Sequence, residues 1–178
     1  MVDIMKKIAV IFACGTEELE ALTPVDVLIR AGVHCDIVSV SGEFPKGSHG
    51  ITVKADKTVE SVDFNDYDGI VIPGGMPGAT NISKNEKVVL AIADMLNKGK
   101  LVASICASPA VVLGENNLIK GKKVTCYPAK DFIDALKDND YTGTDVEVDK
   151  NLITANGPKS AFAFSIKICE FLGVTPKF

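Results

Sequence analysis

The stretch "KLVASICASPAVVLGENN", residues 100–117, places a thiol at a boundary. The apolar run Leu101–Ile105 stops at Cys106, and Ala107, Ser108 and Pro109 lead into a second apolar run. A strand that hands over to a helix through a tight elbow presents its turn residue outward. The small neighbours Ser104, Ala107 and Ser108 suit that crowding, as glycines do around the nucleophile of serine hydrolases. Pro109 fits the first helical turn, where its missing N–H costs nothing. Free backbone N–H groups and the positive end of the helix dipole favour a thiolate. The position therefore predicts a Cys106 pKa below the ordinary thiol value and reaction ahead of the other cysteines. Cys14 reads as a strand end, Cys35 and Cys126 as strand residues, and Cys169 as part of a core helix.

A thiol nucleophile needs an acid or base, and no histidine follows Cys106; the only two, His34 and His49, precede it. The acidic cluster "GTEELE" (15–20) opens the helix after the first strand, at the same sheet edge. Glu17 and Glu18 read as surface partners of the helix dipole. Glu20 lies one turn further in, among Leu19, Leu22 and Val25. Burial beside a thiolate would raise its pKa and let it carry a proton near neutrality. "PGGMPGA" (73–79) offers backbone N–H groups to an oxyanion. It lacks the lysine and Ser/Thr of a phosphate loop, and "ACGTEELE" sets carboxylates where a dinucleotide fold holds pyrophosphate.

The elements that must position these groups alternate. "KKIAVIFA" (6–13), "HCDIVSVS" (34–41), "YDGIVIPGG" (67–75) and "LVASI" (101–105) read as strands, most of them apolar on both faces as buried parallel strands are. Helices are expected from Thr16, as N-cap, to Ala31, over 85–100 and over 159–173, with Gly32 and Gly99 as stops. A short extra strand is expected at "GITVKAD" (50–56), and others at "KKVTCY" (122–127) and around "DVEVD" and "NLITAN". Such alternation predicts an α/β fold, one domain over residues 1–178, with a mostly parallel sheet between helical layers and its site beyond the strands' carboxyl ends.

The chain has 178 residues, 47% hydrophobic and 24% charged, with net charge −4. Without a basic cluster it has no footprint for nucleic acid or anionic membrane. The apolar run near the start is too short to span a bilayer, so a cytoplasmic location is expected. An odd number of widely spaced cysteines argues against a disulfide framework or zinc site, and neither metal nor cofactor is expected.

Taken in order, "IFACGTEELEALTPVDVLIRAG", "VIPGGMPGA", "ICASPAVVL", "PAKD" and "TANGPKSAFAFSIKI" resemble the ThiJ/PfpI superfamily across the chain up to about Gly173. The resemblance implies a flavodoxin-like sandwich, usually dimeric, with Cys106 at a nucleophile elbow. It also implies a protonated Glu20 bonded to that thiol, and backbone donors from Gly75 and Ala107. Three departures stand out. Tyr127 occupies the place of a histidine that many members carry, Ala107 replaces the histidine of the protease-like branch, and a C-terminal helix of some relatives is absent. His49 stands where relatives carry a basic residue that approaches the partner subunit; Tyr127, His49 and Arg30 are secondary candidates. The implied activity is a cofactor-independent glyoxalase on methylglyoxal-like 2-oxoaldehydes, with protein deglycase activity on glycated substrates beside it. The alternatives are a redox sensor whose Cys106 becomes a sulfinate and, more weakly, a thiol peptidase.

Overall fold

In the computed structural model, which describes residues 5–178, one seven-stranded sheet runs through the molecule. Residues 1–4 lie outside the described residues. Four strands at its centre, β1 (Lys7–Phe12), β4 (Gly69–Ile72), β5 (Leu101–Ile105) and β9 (Leu152–Ala155), are buried almost throughout. The strand order is β3-β2-β1-β4-β5-β9-β8, with β2 at His34–Ser39, β3 at Lys57–Thr58 and β8 at Val146–Asp149. Every pair is parallel except β8–β9, a hairpin at one edge. β-branched apolar runs of this kind have no polar face to leave in water, so helices cover both sides.

One face packs Ile8, Val10, Phe12, Leu101 and Ile105 against α1 (Glu18–Arg30) and the closing helix Ala161–Leu172. The other packs Ile11, Ile70, Ile72 and Val102 against α2 (Gly78–Ser83), α3 (Glu86–Asn97) and a π-helical segment, Pro109–Gly114. Each such side chain contributes about 1.5–3 kcal/mol on burial. Among the described residues no helix is long and apolar enough to cross a membrane.

Three local readings change. Residues 50–56 form no strand; Thr52 makes one isolated bridge to Lys46, and the edge strand comes later, at β3. The expected strand at 122–127 shrinks to β6 (Lys123–Val124), paired off the main sheet with β7 (Asp140–Tyr141). The N-cap of α1 is Glu17, whose carboxylate accepts the Glu20 N–H at 2.9 Å. Thr16 is fully buried, and its hydroxyl accepts the Ala13 N–H at 3.0 Å.

Candidate active site

β1, β4 and β5 are neighbours, so the loops leaving their carboxyl ends meet. From β5 the chain turns at Cys106, whose φ of 66° lies in the left-handed region. A residue with a Cβ occupies that region at a cost of about 1–2 kcal/mol, so the surrounding contacts must hold it there. The Cys106 N–H donates to Ala155 O (2.9 Å), and its carbonyl accepts the Tyr127 N–H (2.8 Å). Behind the turn, the Ser108 hydroxyl donates to Pro73 O at 2.6 Å, tying the elbow to the glycine loop. Cys106 itself stays half-buried.

That loop passes so close that side chains are excluded. A Cβ on Gly74 would stand 2.6 Å from the Cys106 Cβ and 2.7 Å from Glu20 Oε2; one on Gly75 would meet the Glu17 nitrogen at 2.4 Å. Gly75 also has a φ of 85°, which glycine adopts freely.

Glu20 projects from the first turn of α1 into this contact and is fully buried. Its Oε2 accepts the Gly74 N–H at 2.8 Å, Oε1 is buried, and the carboxyl lies against the Cys106 thiol. Burial pushes the Glu20 carboxyl up to about 7, helped by the negative charge of Glu17 and opposed by hydrogen bonds from Cys106 and Gly74. Leu19, expected to shield it, points outward instead, 58% exposed; the shield is the glycine loop and the elbow.

The thiol departs from expectation. Burial, then the charge of Glu20 and the hydrogen bond to it, push Cys106 up to about 12, against N–H groups of Ala107 and Gly75 that donate to the sulfur. Only a short π-helical segment follows the elbow, and the Glu20 carboxyl sits against the thiol. Two of the three raising causes vanish when Glu20 takes a proton. The two groups therefore titrate as one unit, and the thiolate is least opposed when Glu20 is neutral.

Glu17 and Glu18 are not surface groups. They are 8% and 5% exposed beneath the loop 46–51, and Glu18 accepts the His49 N–H (2.9 Å), the Ile51 N–H (3.3 Å) and the Ser48 hydroxyl (3.4 Å). Burial works against its charge, yet hydrogen bonds from its own backbone, His49 and Ile51 hold it below the usual carboxylate range. His49 Nδ1 lies 3.0 Å from Glu18 Oε2 and 3.5 Å from Glu17 Oε1, an arrangement with the donor types of a small cation site. Two clefts share Pro158. One is lined by Glu17, Glu18, Leu22, His49 and Ile51, the other by Tyr127, Asn156 and Lys159.

The structure thus brings together Cys106, Glu20, Gly75 and Ala107, sets Tyr127 at the rim and His49 over the acidic cluster, and leaves Arg30 outside. Arg30 ends α1, bonded to Asp26 at 2.9 Å and lying over the Phe178 ring.

A sharply turned cysteine with a buried helical glutamate against its thiol defines the class, and the comparisons agree: residues 6–171 match the DJ-1/PfpI family model, and the chain belongs to that family. It is 35% identical over 170 residues to the zebrafish (Danio rerio) Parkinson disease protein 7 homolog, covering 94% of this chain and 89% of that protein. It is 36% identical to Arabidopsis thaliana protein DJ-1 homolog B over 92% of this chain, but spans only 37% of that longer protein. Among solved structures, oxidized Toxoplasma gondii DJ-1 superimposes with a TM-score of 0.88 at 39% identity, covering 94% of this chain and 90% of that one. Drosophila melanogaster DJ-1beta gives a TM-score of 0.88 at 33% identity over the same shares.

Proposed function

We propose that this protein is a cofactor-independent glyoxalase acting on methylglyoxal-like 2-oxoaldehydes, with protein deglycase activity from the same site. The observation that carries this reading is the fully buried Glu20, with a pKa of about 7, against a thiol at a strained turn. The Cys106 sulfur adds to the aldehyde carbon while the carbonyl oxygen takes up a proton, giving a hemithioacetal. The N–H groups of Gly75 and Ala107 stabilise the oxygen as it gains charge. Glu20 removes the proton from that carbon and returns one to the neighbouring carbon, so the first carbon is oxidised and the second reduced without an external oxidant. Water then cleaves the thioester, releasing a 2-hydroxy acid and restoring the thiol.

The test is purified protein with methylglyoxal, following lactate, with Cys106→Ala alongside. Lactate from the wild type and none from the variant supports the reading; equal output from both removes it.

A second reading, redox sensing, is favoured by the half-buried thiol and by a similar structure described as oxidized. Peroxide would convert the thiol to sulfenate and then sulfinate, which a protonated Glu20 stabilises by donating a hydrogen bond. Under limiting peroxide, mass spectrometry should find Cys106, half-buried with the N–H groups of Ala107 and Gly75 at its sulfur, modified before Cys126, which is fully buried, and before Cys35, where the charge of Asp36 opposes a thiolate. For either role we propose a cytoplasmic homodimer, supported by exposed Leu19, Ile29 and Ile51; a monomer in sedimentation at micromolar concentration would remove it.

A further inference from the structure

The two clefts that share Pro158 differ in charge. The first is walled by the carboxylates of Glu17 and Glu18 and by apolar Leu19, Leu22 and Ile51. The second, about 490 Å³, is lined by Tyr127, Pro128, Asn156, Gly157, Pro158 and Lys159. Its walls are bonded directly to the reacting residue: the Tyr127 N–H donates to Cys106 O, and the Cys106 N–H donates to Ala155 O, next in the chain to Asn156. The backbone that carries Lys159 is held in a fixed turn. Ser160 N–H donates to Gly157 O at 2.9 Å, and the Ser160 hydroxyl donates to Asn156 Oδ1 at 2.7 Å. The nearby acid, Asp145, is engaged by the Asn156 side chain at 2.9 Å. Among the described residues the Lys159 ammonium has no carboxylate within 4.0 Å, and the Tyr127 hydroxyl makes no hydrogen bond. A cleft of this size holds far more than methylglyoxal fills, and it offers two solvent-facing donors, the Lys159 ammonium and the Tyr127 hydroxyl, that no protein group engages.

We propose that this cleft selects 2-oxoaldehydes bearing a carboxylate beyond the reacting carbons, with Lys159 as the specificity-determining residue and the Tyr127 hydroxyl as its second donor. The assignment rests on the glyoxalase reading for its chemistry. The aldehyde end lies at Cys106, and the carboxylate extends along Tyr127 to pair with Lys159, where charge-assisted hydrogen bonds are stronger than neutral ones.

Two measurements test it. With 4,5-dioxopentanoate and methylglyoxal as substrates, Lys159→Gln should lower the ratio of their kcat/KM values about ten-fold, the change lying in KM for the anion. Lys159→Arg should retain most of the ratio. Independently of turnover, the rate of Cys106 alkylation by iodoacetate relative to neutral iodoacetamide should fall about three- to ten-fold in Lys159→Gln at low salt, with the difference shrinking as salt rises. If wild type forms no lactate but the alkylation ratio responds, the glyoxalase reading falls and the anion cleft stands. If lactate forms while both ratios stay within two-fold of wild type in Lys159→Gln, the cleft assignment is overturned and the glyoxalase reading stands. An unresponsive alkylation ratio without lactate overturns both.

Discussion

Two buried carboxyls sit at opposite ends of the same sheet. Asp36, near the amino end of β2, is 5% exposed and saturated. It accepts from the Tyr67 hydroxyl (2.7 Å), lies 3.0 Å from His34 Nε2, and has the ammonium groups of Lys57 and Lys7 at 3.1 and 3.6 Å. Burial works against its charge, but the hydrogen bonds from Tyr67, Lys57 and His34 hold it below the ordinary range. Glu20, at the carboxyl end, is more deeply buried and has one backbone donor, the Cys106 thiol against it and no cation; it sits at about 7. Burial alone does not distinguish a structural acid from a chemical one. The number of partners does: Asp36 is fixed in one charge state, and Glu20 is left able to change it.

The contrast can be broken at either end. The largest expected effect is on turnover: Glu20→Gln keeps a hydrogen-bonding amide but cannot transfer a proton, and lactate formation should fall about 10²–10⁴-fold. The same variant should be more stable than wild type above pH 7. A carboxyl whose folded value, about 7, exceeds its unfolded 4.5 loses stability as pH rises between those values. Denaturant melts at pH 8 should show a gain of about 1–3 kcal/mol that disappears near pH 4. Loss of stability on Glu20→Gln at pH 8 would make Glu20 a second Asp36.

Asp36→Ala should do the reverse, costing about 3–5 kcal/mol because it leaves the Tyr67 hydroxyl and two ammonium groups without their acceptor, while turnover per folded molecule holds. Urea melts and active-site titration separate the two quantities. A subtler mark of the coupled pair lies in Cys106 alkylation by iodoacetamide. Between about pH 8 and 10 the pair has lost one proton and shares the other, so the rate should stay within about three-fold. In Glu20→Gln it should follow a single thiol titration. Smallest of all, Lys57→Met removes a partly exposed cation from Asp36 and should cost under about 1 kcal/mol in a thermal melt.

Legibility in the sequence followed the range of the interactions. β1, β4 and β5 are plain because each is an almost wholly apolar run, a property of the run itself. Cys106 at a turn was legible for a similar reason: small residues and a proline beside it announce the bend. The edge at β3 was not, since Lys57 and Thr58 carry no strand pattern and pair only because β2 lies alongside. Burial of Glu17 and Glu18 depends on the loop 46–51, brought over α1 by contacts some thirty residues away in the chain. The thiol's raised pKa depends on Glu20, eighty-six positions earlier. Lys159 carried no signal at all: one lysine in "GPKS" becomes notable only when Tyr127 is seen across the same cleft.

Glu20 hangs from a helix and Cys106 from the end of a strand, so their separation is set by how α1 seats on the sheet rather than by any loop between them. Warming that loosens this seat would detune proton transfer before the chain unfolds. Calorimetry and a rate-against-temperature curve would then record two different ceilings, the chemical one lower, and the gap between them would measure how firmly one helix is moored.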